Sequence, residues 1–167
     1  MAANLTQRHR EELAESKIRK NEMLIHLFIK VSFLPNIDCA NVNTSNPLLN
    51  NQFVIIIFGS TLCIARIVAM YYNTYNYHSY YAGEVTDLDN LSYIMLHVFL
   101  PLHLNIFSGI TSEKSKIFTH QQLSNIIYHL ANTDVIVAEN SLNLRGFGKD
   151  IYNYFNCEDI KKAIITN

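Results

Sequence analysis

The chain has little charge. Of its 167 residues only 16% are Asp, Glu, Lys or Arg, against about a quarter in an average soluble protein. Thirteen basic and fourteen acidic side chains give a formal net charge of -1, so no whole-chain basic field drives nucleic-acid binding, and any such contact must be local. Cysteine is scarce as well. Cys39, Cys63 and Cys157 are odd in number, far apart and not spaced with histidines as ligands, which argues against a disulfide framework and a zinc site. Reduced thiols in a nuclear or cytoplasmic protein are expected. The first residues, with Arg8, Arg10, Glu11 and Glu12, lack the apolar run of a secretory signal and are too acidic for a transit peptide, so export is not expected.

Catalytic signatures are missing too: there is no G-x-S-x-G, H-E-x-x-H, C-x-x-C or complete phosphate loop. Gly146-x-Gly148-Lys149 reads as a turn. The seven histidines form no i, i+4 pair, and His97 and His103 lie in an apolar run, where a core or interface histidine is the simpler reading.

What the chain does have is apolar surface, 49% of its residues, enough to fold as one domain, alone or with a partner. Charge is unevenly spread: ten charged side chains in residues 1–34, twelve in 111–167, and only Asp38, Arg66, Glu84, Asp87 and Asp89 between. The expected organisation is an N-terminal helix (1–34), an α/β core (35–140) and a C-terminal tail (141–167). Thr6 to about Ile29 is rich in helix formers without Pro or Gly. Asn36–Asn51, with Pro47, reads as a loop.

Phe53–Phe58, closed by Gly59-Ser60, reads as a strand buried on both faces, of the parallel type. Thr61–Tyr72 reads as the helix that follows, with Leu62, Ala65, Ala69 and Tyr72 on one stripe. Leu91–Leu100 is apolar and of either type. Thr119–Leu130 reads as a helix from the spacing of Leu123, Ile126, Ile127 and Leu130, and Val135–Ala138 as a strand. The alternation predicts an α/β fold with a parallel sheet flanked by helices. Tyr71–Tyr81, with six tyrosines, reads as a helix end running into a loop.

Three segments occur in an order that resembles the RecA-like recombinase paralogues of homologous recombination, the X-ray-repair cross-complementing series. Lys20-Asn21-Glu22-Met23-Leu24-Ile25-His26-Leu27 is similar to the stretch at and after the phosphate-loop lysine. Phe53–Ser60 with Leu62 and Arg66-Ile67-Val68-Ala69 is similar to the next strand and its helix. Leu88-Asp89-Asn90-Leu91-Ser92-Tyr93 resembles the following loop and strand.

The resemblance implies a partial RecA-like core and a non-catalytic paralogue. Such a protein pairs with another recombinase paralogue and stabilises or remodels recombinase filaments, meeting single-stranded DNA indirectly. It places Lys20 at the phosphate site, and Val135–Asn140 either on the strand that ends in the magnesium-side acid, which would be Glu139, or on the strand after it. Residues 12–21 contain no glycine, however, and Asn21 stands where a Ser or Thr would meet the metal, so neither ATP nor Mg²⁺ binding is expected. Arg66, Tyr71, Tyr72, Tyr75 and Tyr77 are the expected interface residues, with the tyrosines as alternative platforms for base stacking.

Two other architectures fit the apolar middle. One is a membrane hairpin of residues 53–72 and 91–110, burdened by Arg66, which costs about 2.5–3.5 kcal/mol at a bilayer centre. The other is an all-α interaction module of Bcl-2-like type around Ala65-Arg66-Ile67-Val68-Ala69.

Overall fold

The computed structural model describes residues 40–73 and 78–166, all within the unit Pro35–Asn167. The N-terminal helix, Lys20 with its degenerate phosphate loop, Tyr75 and Tyr77 lie outside the described residues.

β1 (Phe53–Phe58) turns directly into β2 (Thr61–Asn73). Phe58 pairs with Thr61, so Gly59-Ser60 is a two-residue hairpin loop. Gly59 has φ 63°, the positive value such loops need at their first position and glycine adopts without strain. There follow β3 (His78–Tyr81), β4 (Leu91–His103), β5 (Ile106–Ser108), β6 (Ile117–Gln121), β7 (Ile126–Leu130), β8 (Val135–Val137) and β9 (Ser141–Leu144). Two helices, α1 (Gly146–Phe155) and α2 (Glu158–Thr166), come last. The strands join in the order β7-β1-β2-β4-β5-β9-β8, with β3 added to β2 and β6 to β4. Every ladder is antiparallel.

This overturns the expected α/β class. The sheet is antiparallel, not a parallel RecA-like core flanked by helices, and it is equally incompatible with an all-α module. Residues 61–72 are not a helix but most of β2. Their run is apolar on successive residues because β2 is covered on both faces along much of its length, which removes the period-two signal. A register shift between Ile67 and Ala69 and another between Tyr71 and Tyr72 break what remained of it.

Residues 119–130 are not a helix either. A single 3-10 turn, Leu123–Asn125, separates β6 from β7, and its three-residue advance brings Leu123, Ile126, Ile127 and Leu130 into helix-like spacing. The tyrosine-rich stretch is strand at both described ends, β2 and β3, not a helix end. The two runs proposed as a membrane hairpin are strands of the sheet, and among the described residues no helix is long and apolar enough to cross a membrane. Phe53–Phe58 is a strand as expected, and so is Val135–Val137 within the expected 135–138, but both are antiparallel.

The two faces of the sheet have different fates. On one, Val54, Ile56, Cys63, Ala65, Ile67, Met70, Ile94, Leu96 and Val98 form the main core with Leu48, Val85, Leu88 and Leu123. Burial there pushes the Cys63 thiol up to about 12, so it stays protonated and unreactive at neutral pH. On the other face, α1 turns Gly148, Ile151, Tyr152 and Phe155 inward. These positions, three and four residues apart, lie on one side of a helix. Tyr152 donates a hydrogen bond to the Leu62 carbonyl at 3.1 Å and meets Phe107 edge-on at 4.9 Å. Gly148 lets the helix approach closely: a Cβ there would lie 2.7 Å from the Asp134 Cβ. The helix therefore covers the Leu62 end of this face.

Candidate functional site: an open ring-lined sheet face

Beyond the reach of α1 the same face carries rings. Register aligns Phe53, Arg66, His97 and Phe118 in one row across β1, β2, β4 and β6. A second row, Tyr80, Tyr71 and Tyr93, crosses β3, β2 and β4. Between them lie Ala69, Met95 and His120. Period-two geometry places every second residue of β4 on this side, so Tyr93, Met95, His97 and Phe99 share it.

The rings touch in sequence. Tyr80 meets Tyr71 edge-on at 6.1 Å, Tyr71 stacks on Tyr93 at 4.6 Å and 21°, and Tyr93 meets His120 at 5.2 Å. In the other row His97 lies 5.2 Å from Phe118, and Phe99, two residues along β4, lies 4.5 Å from His97. Tyr80 and Phe118 are 59% and 49% exposed, so each stripe ends in an open ring, while Phe53, Ala69, His97 and Phe99 are buried. From Tyr93 to His97 the stripes are about 13 Å apart along the strand, at a rise of about 3.3 Å per residue.

The electrostatics are one-sided. Arg66 is the sole Asp, Glu, Lys or Arg in β1, β2, β3, β4, β6 and β7. Its Nε is sealed from solvent and has no hydrogen-bond partner, and no ion pair holds the side chain among the described residues. A partly buried cation without a counter-charge is costly and calls for an acceptor. Lys116, just before β6, adds a second positive charge felt at His97.

His97 is buried, with Nε2 2.7 Å from the Gly109 carbonyl. A carbonyl only accepts, so Nε2 carries the proton. Nδ1 is left without a partner. Burial above all holds the His97 pKa below its ordinary value, with Arg66 and Lys116 adding to the effect and the Gly109 bond opposing it.

At the other stripe, Ser92 Oγ donates to the Tyr71 carbonyl at 3.0 Å, so in the 2.9 Å contact with His78 the Nδ1–H donates to the serine oxygen. With its proton committed to a carbonyl and the histidine already protonated on the facing nitrogen, Ser92 is held as a strand-to-strand bridge. It is not activated as a nucleophile. Among the described residues no cluster of three or more His, Cys, Asp or Glu could hold a metal ion.

Of the residues expected at an interface, Arg66 and Tyr71 are brought onto this face. Tyr72 is not: it points to the opposite side, where it packs against the main core and lies 4.3 Å from Tyr81. Glu139 is exposed between β8 and β9, away from these rows. Sequence reasoning missed His78, Tyr80, Met95, Phe118 and His120. The usable signal was the alternation Tyr93-x-Met95-x-His97-x-Phe99, with larger, ring-bearing residues at every second position.

A second buried histidine, His129 on β7, has neither ring nitrogen at full hydrogen-bonding geometry with a partner. Burial lowers its pKa, and the backbone of Asn46 opposes this only partly. Both histidines are thus neutral in the native state at pH values where the unfolded chain, with an ordinary pKa of 6.5, binds protons. Their contribution to stability is whole above pH 6.5 and is lost as pH falls below it toward the lowered native values. Urea midpoints should therefore drop between pH 7 and pH 5, and His129→Leu should flatten part of that slope. A midpoint independent of pH across this window contradicts the assignment.

Neither a family model, nor a curated protein, nor a solved structure matches this chain.

Proposed function

We propose that the chain is a non-catalytic binding protein for single-stranded nucleic acid, which lies across the open face of β2, β3, β4 and β6. The observation that carries this reading is the pairing of Arg66, whose Nε is unbonded and which has no ion-pair partner among the described residues, with two ring stripes on strands free of carboxylates. A ligand suited to it has flat rings and a regularly spaced negative charge. Unstacked bases on a phosphate backbone meet both conditions, with rings and cations supplying stacking and charge. Duplex DNA or RNA, whose bases are stacked inside, offers only its backbone.

The low overall charge fits a small electrostatic share. With about two phosphates neutralised, by Arg66 and Lys116, the slope of log K against log salt should be about −1.4 for a single strand. Titration of a fluorescently labelled oligothymidine or oligouridine at several salt concentrations tests this. A shallow slope is expected, and a slope several times steeper would point to the lysines elsewhere in the chain and overturn the placement.

A role in homologous recombination, which the family resemblance implied, would put the same face on the single strand of a recombinase filament. Of the three segments that carried that resemblance, the strand-turn-helix is an antiparallel hairpin, so the proposal rests on the face alone.

A further inference from the structure

Among the described residues, nine large apolar side chains stand well exposed, and the most open are Leu102 and Leu104, at 70% and 76%. Leu104 lies in the β4–β5 turn, and Leu102 at the irregular end of β4 that leads into it. His103 pairs with Ile106, so Leu104-Asn105 is a two-residue loop, and Leu104 has φ 48°. The β1–β2 loop has the same length and the same sign of φ, and there the residue is Gly59. A leucine in this conformation is strained where glycine is not, and its side chain is left in water. Nothing within the described residues offsets either cost.

The surroundings share this character. Leu91–Ser112 contains no Asp, Glu, Lys or Arg. Ile106, next along the turn, is exposed, and so is Ile136, two strands away in the same cross-strand row. The Asn105 carbonyl accepts from the Leu144 N–H at 2.9 Å, which brings the backbone of the exposed Arg145 next to the tip, while its Nε donates to the Thr133 carbonyl at 2.7 Å.

We propose that the β4–β5 turn is a membrane-contact tip: Leu102 and Leu104 enter the boundary between headgroups and acyl chains of a phospholipid bilayer, with Arg145 meeting the headgroup phosphates. A two-fold contact between copies would need this tip to match itself in shape. A fluid bilayer demands no matching shape and takes aliphatic side chains beside a cation. The contact lies on the bilayer and does not span it, and it is independent of the nucleic-acid reading.

The experiment is co-sedimentation of the full chain with phosphatidylcholine vesicles, with and without phosphatidylserine, at low and high salt, for the wild type, Leu104→Gly and Leu102→Asn. The wild type should partition onto both vesicle types and remain bound at high salt. Leu104→Gly should raise the melting temperature, by relieving the backbone, while weakening vesicle binding by about tenfold or more. That opposite movement separates a contact residue from one that merely helps folding. Failure of the wild type to bind vesicles, release by salt alone, or unchanged binding of Leu104→Gly would each overturn the proposal. So would sedimentation without vesicles that the glycine variant abolishes, since it would make the tip a contact between copies.

Discussion

Truncating Tyr152 to alanine is expected to remove about 3–5 kcal/mol of unfolding free energy, the range for loss of a large buried aromatic. The side chain is 2% exposed, fills space against Phe107 and ties α1 to β2 through the Leu62 carbonyl. Tyr152→Phe keeps the ring and loses only the hydrogen bond, so its cost should be about 1 kcal/mol. Asn153→Ala, on the exposed side of the same helix, should stay within about 0.5 kcal/mol of the wild type. Urea unfolding monitored by circular dichroism orders the three variants. Equal effects of Tyr152→Ala and Asn153→Ala would mean that α1 is not docked on the sheet as described. Burial pushes the Tyr152 hydroxyl up to about 12, so this anchor stays protonated through the ordinary pH range.

The second large effect is on binding. Arg66→Ala removes the only formal charge from these strands, and Tyr93→Ala removes the ring at the centre of the Tyr80-Tyr71-Tyr93-His120 stripe. Loss of one stacking ring typically costs about 1–3 kcal/mol, or roughly five- to 150-fold in affinity. Tyr93→Ala should fall in that range, with its salt slope unchanged. Arg66→Ala should weaken binding and reduce the slope by about one phosphate's share, about 0.7. Tyr72→Phe, altered on the opposite face, should bind as the wild type does. Fluorescence anisotropy reads all three. If Tyr72→Phe weakened binding as much as Tyr93→Ala, the ligand would not lie on this face.

Legibility in the sequence followed burial. Phe53–Phe58 could be read because six apolar residues, four of them β-branched, end at Gly59-Ser60, a turn whose chemistry is local. Val135–Val137 was legible for the same reason, being short and bounded by Asp134 and Glu139. β2 was not, because coverage on both faces hides the alternation and two register shifts displace it, so Leu62, Ala65, Ala69 and Tyr72, which lie on both faces of the strand, can be mistaken for one helical stripe. Nothing local distinguishes the sequence Leu123-x-x-Ile126-Ile127-x-x-Leu130 as a helix from the same residues as a 3-10 turn and a strand; only pairing of β7 with β1 decides it.

The site was legible in part. Arg66 stands out as a lone charge in a long apolar stretch, and Tyr71 as a member of a tyrosine cluster. Their partners come from β4 and β6, tens of residues away, and could be placed beside them only by register. Tyr72 shows the limit of reading a cluster as a unit: neighbours in a strand point to opposite sides, so one tyrosine joins the open face and the next packs toward the core.

The central claim, that the open face takes a single strand and not a duplex, is tested most directly by competition. A labelled pyrimidine single strand bound to the full chain is challenged with the same sequence unlabelled, as single strand and as preformed duplex, at physiological salt. Stacking on Tyr71, Tyr93 and Phe118 requires unstacked bases, so the single strand should displace the label at far lower concentration than the duplex. Equal competition by the duplex, or no binding of the labelled strand at all, would contradict it.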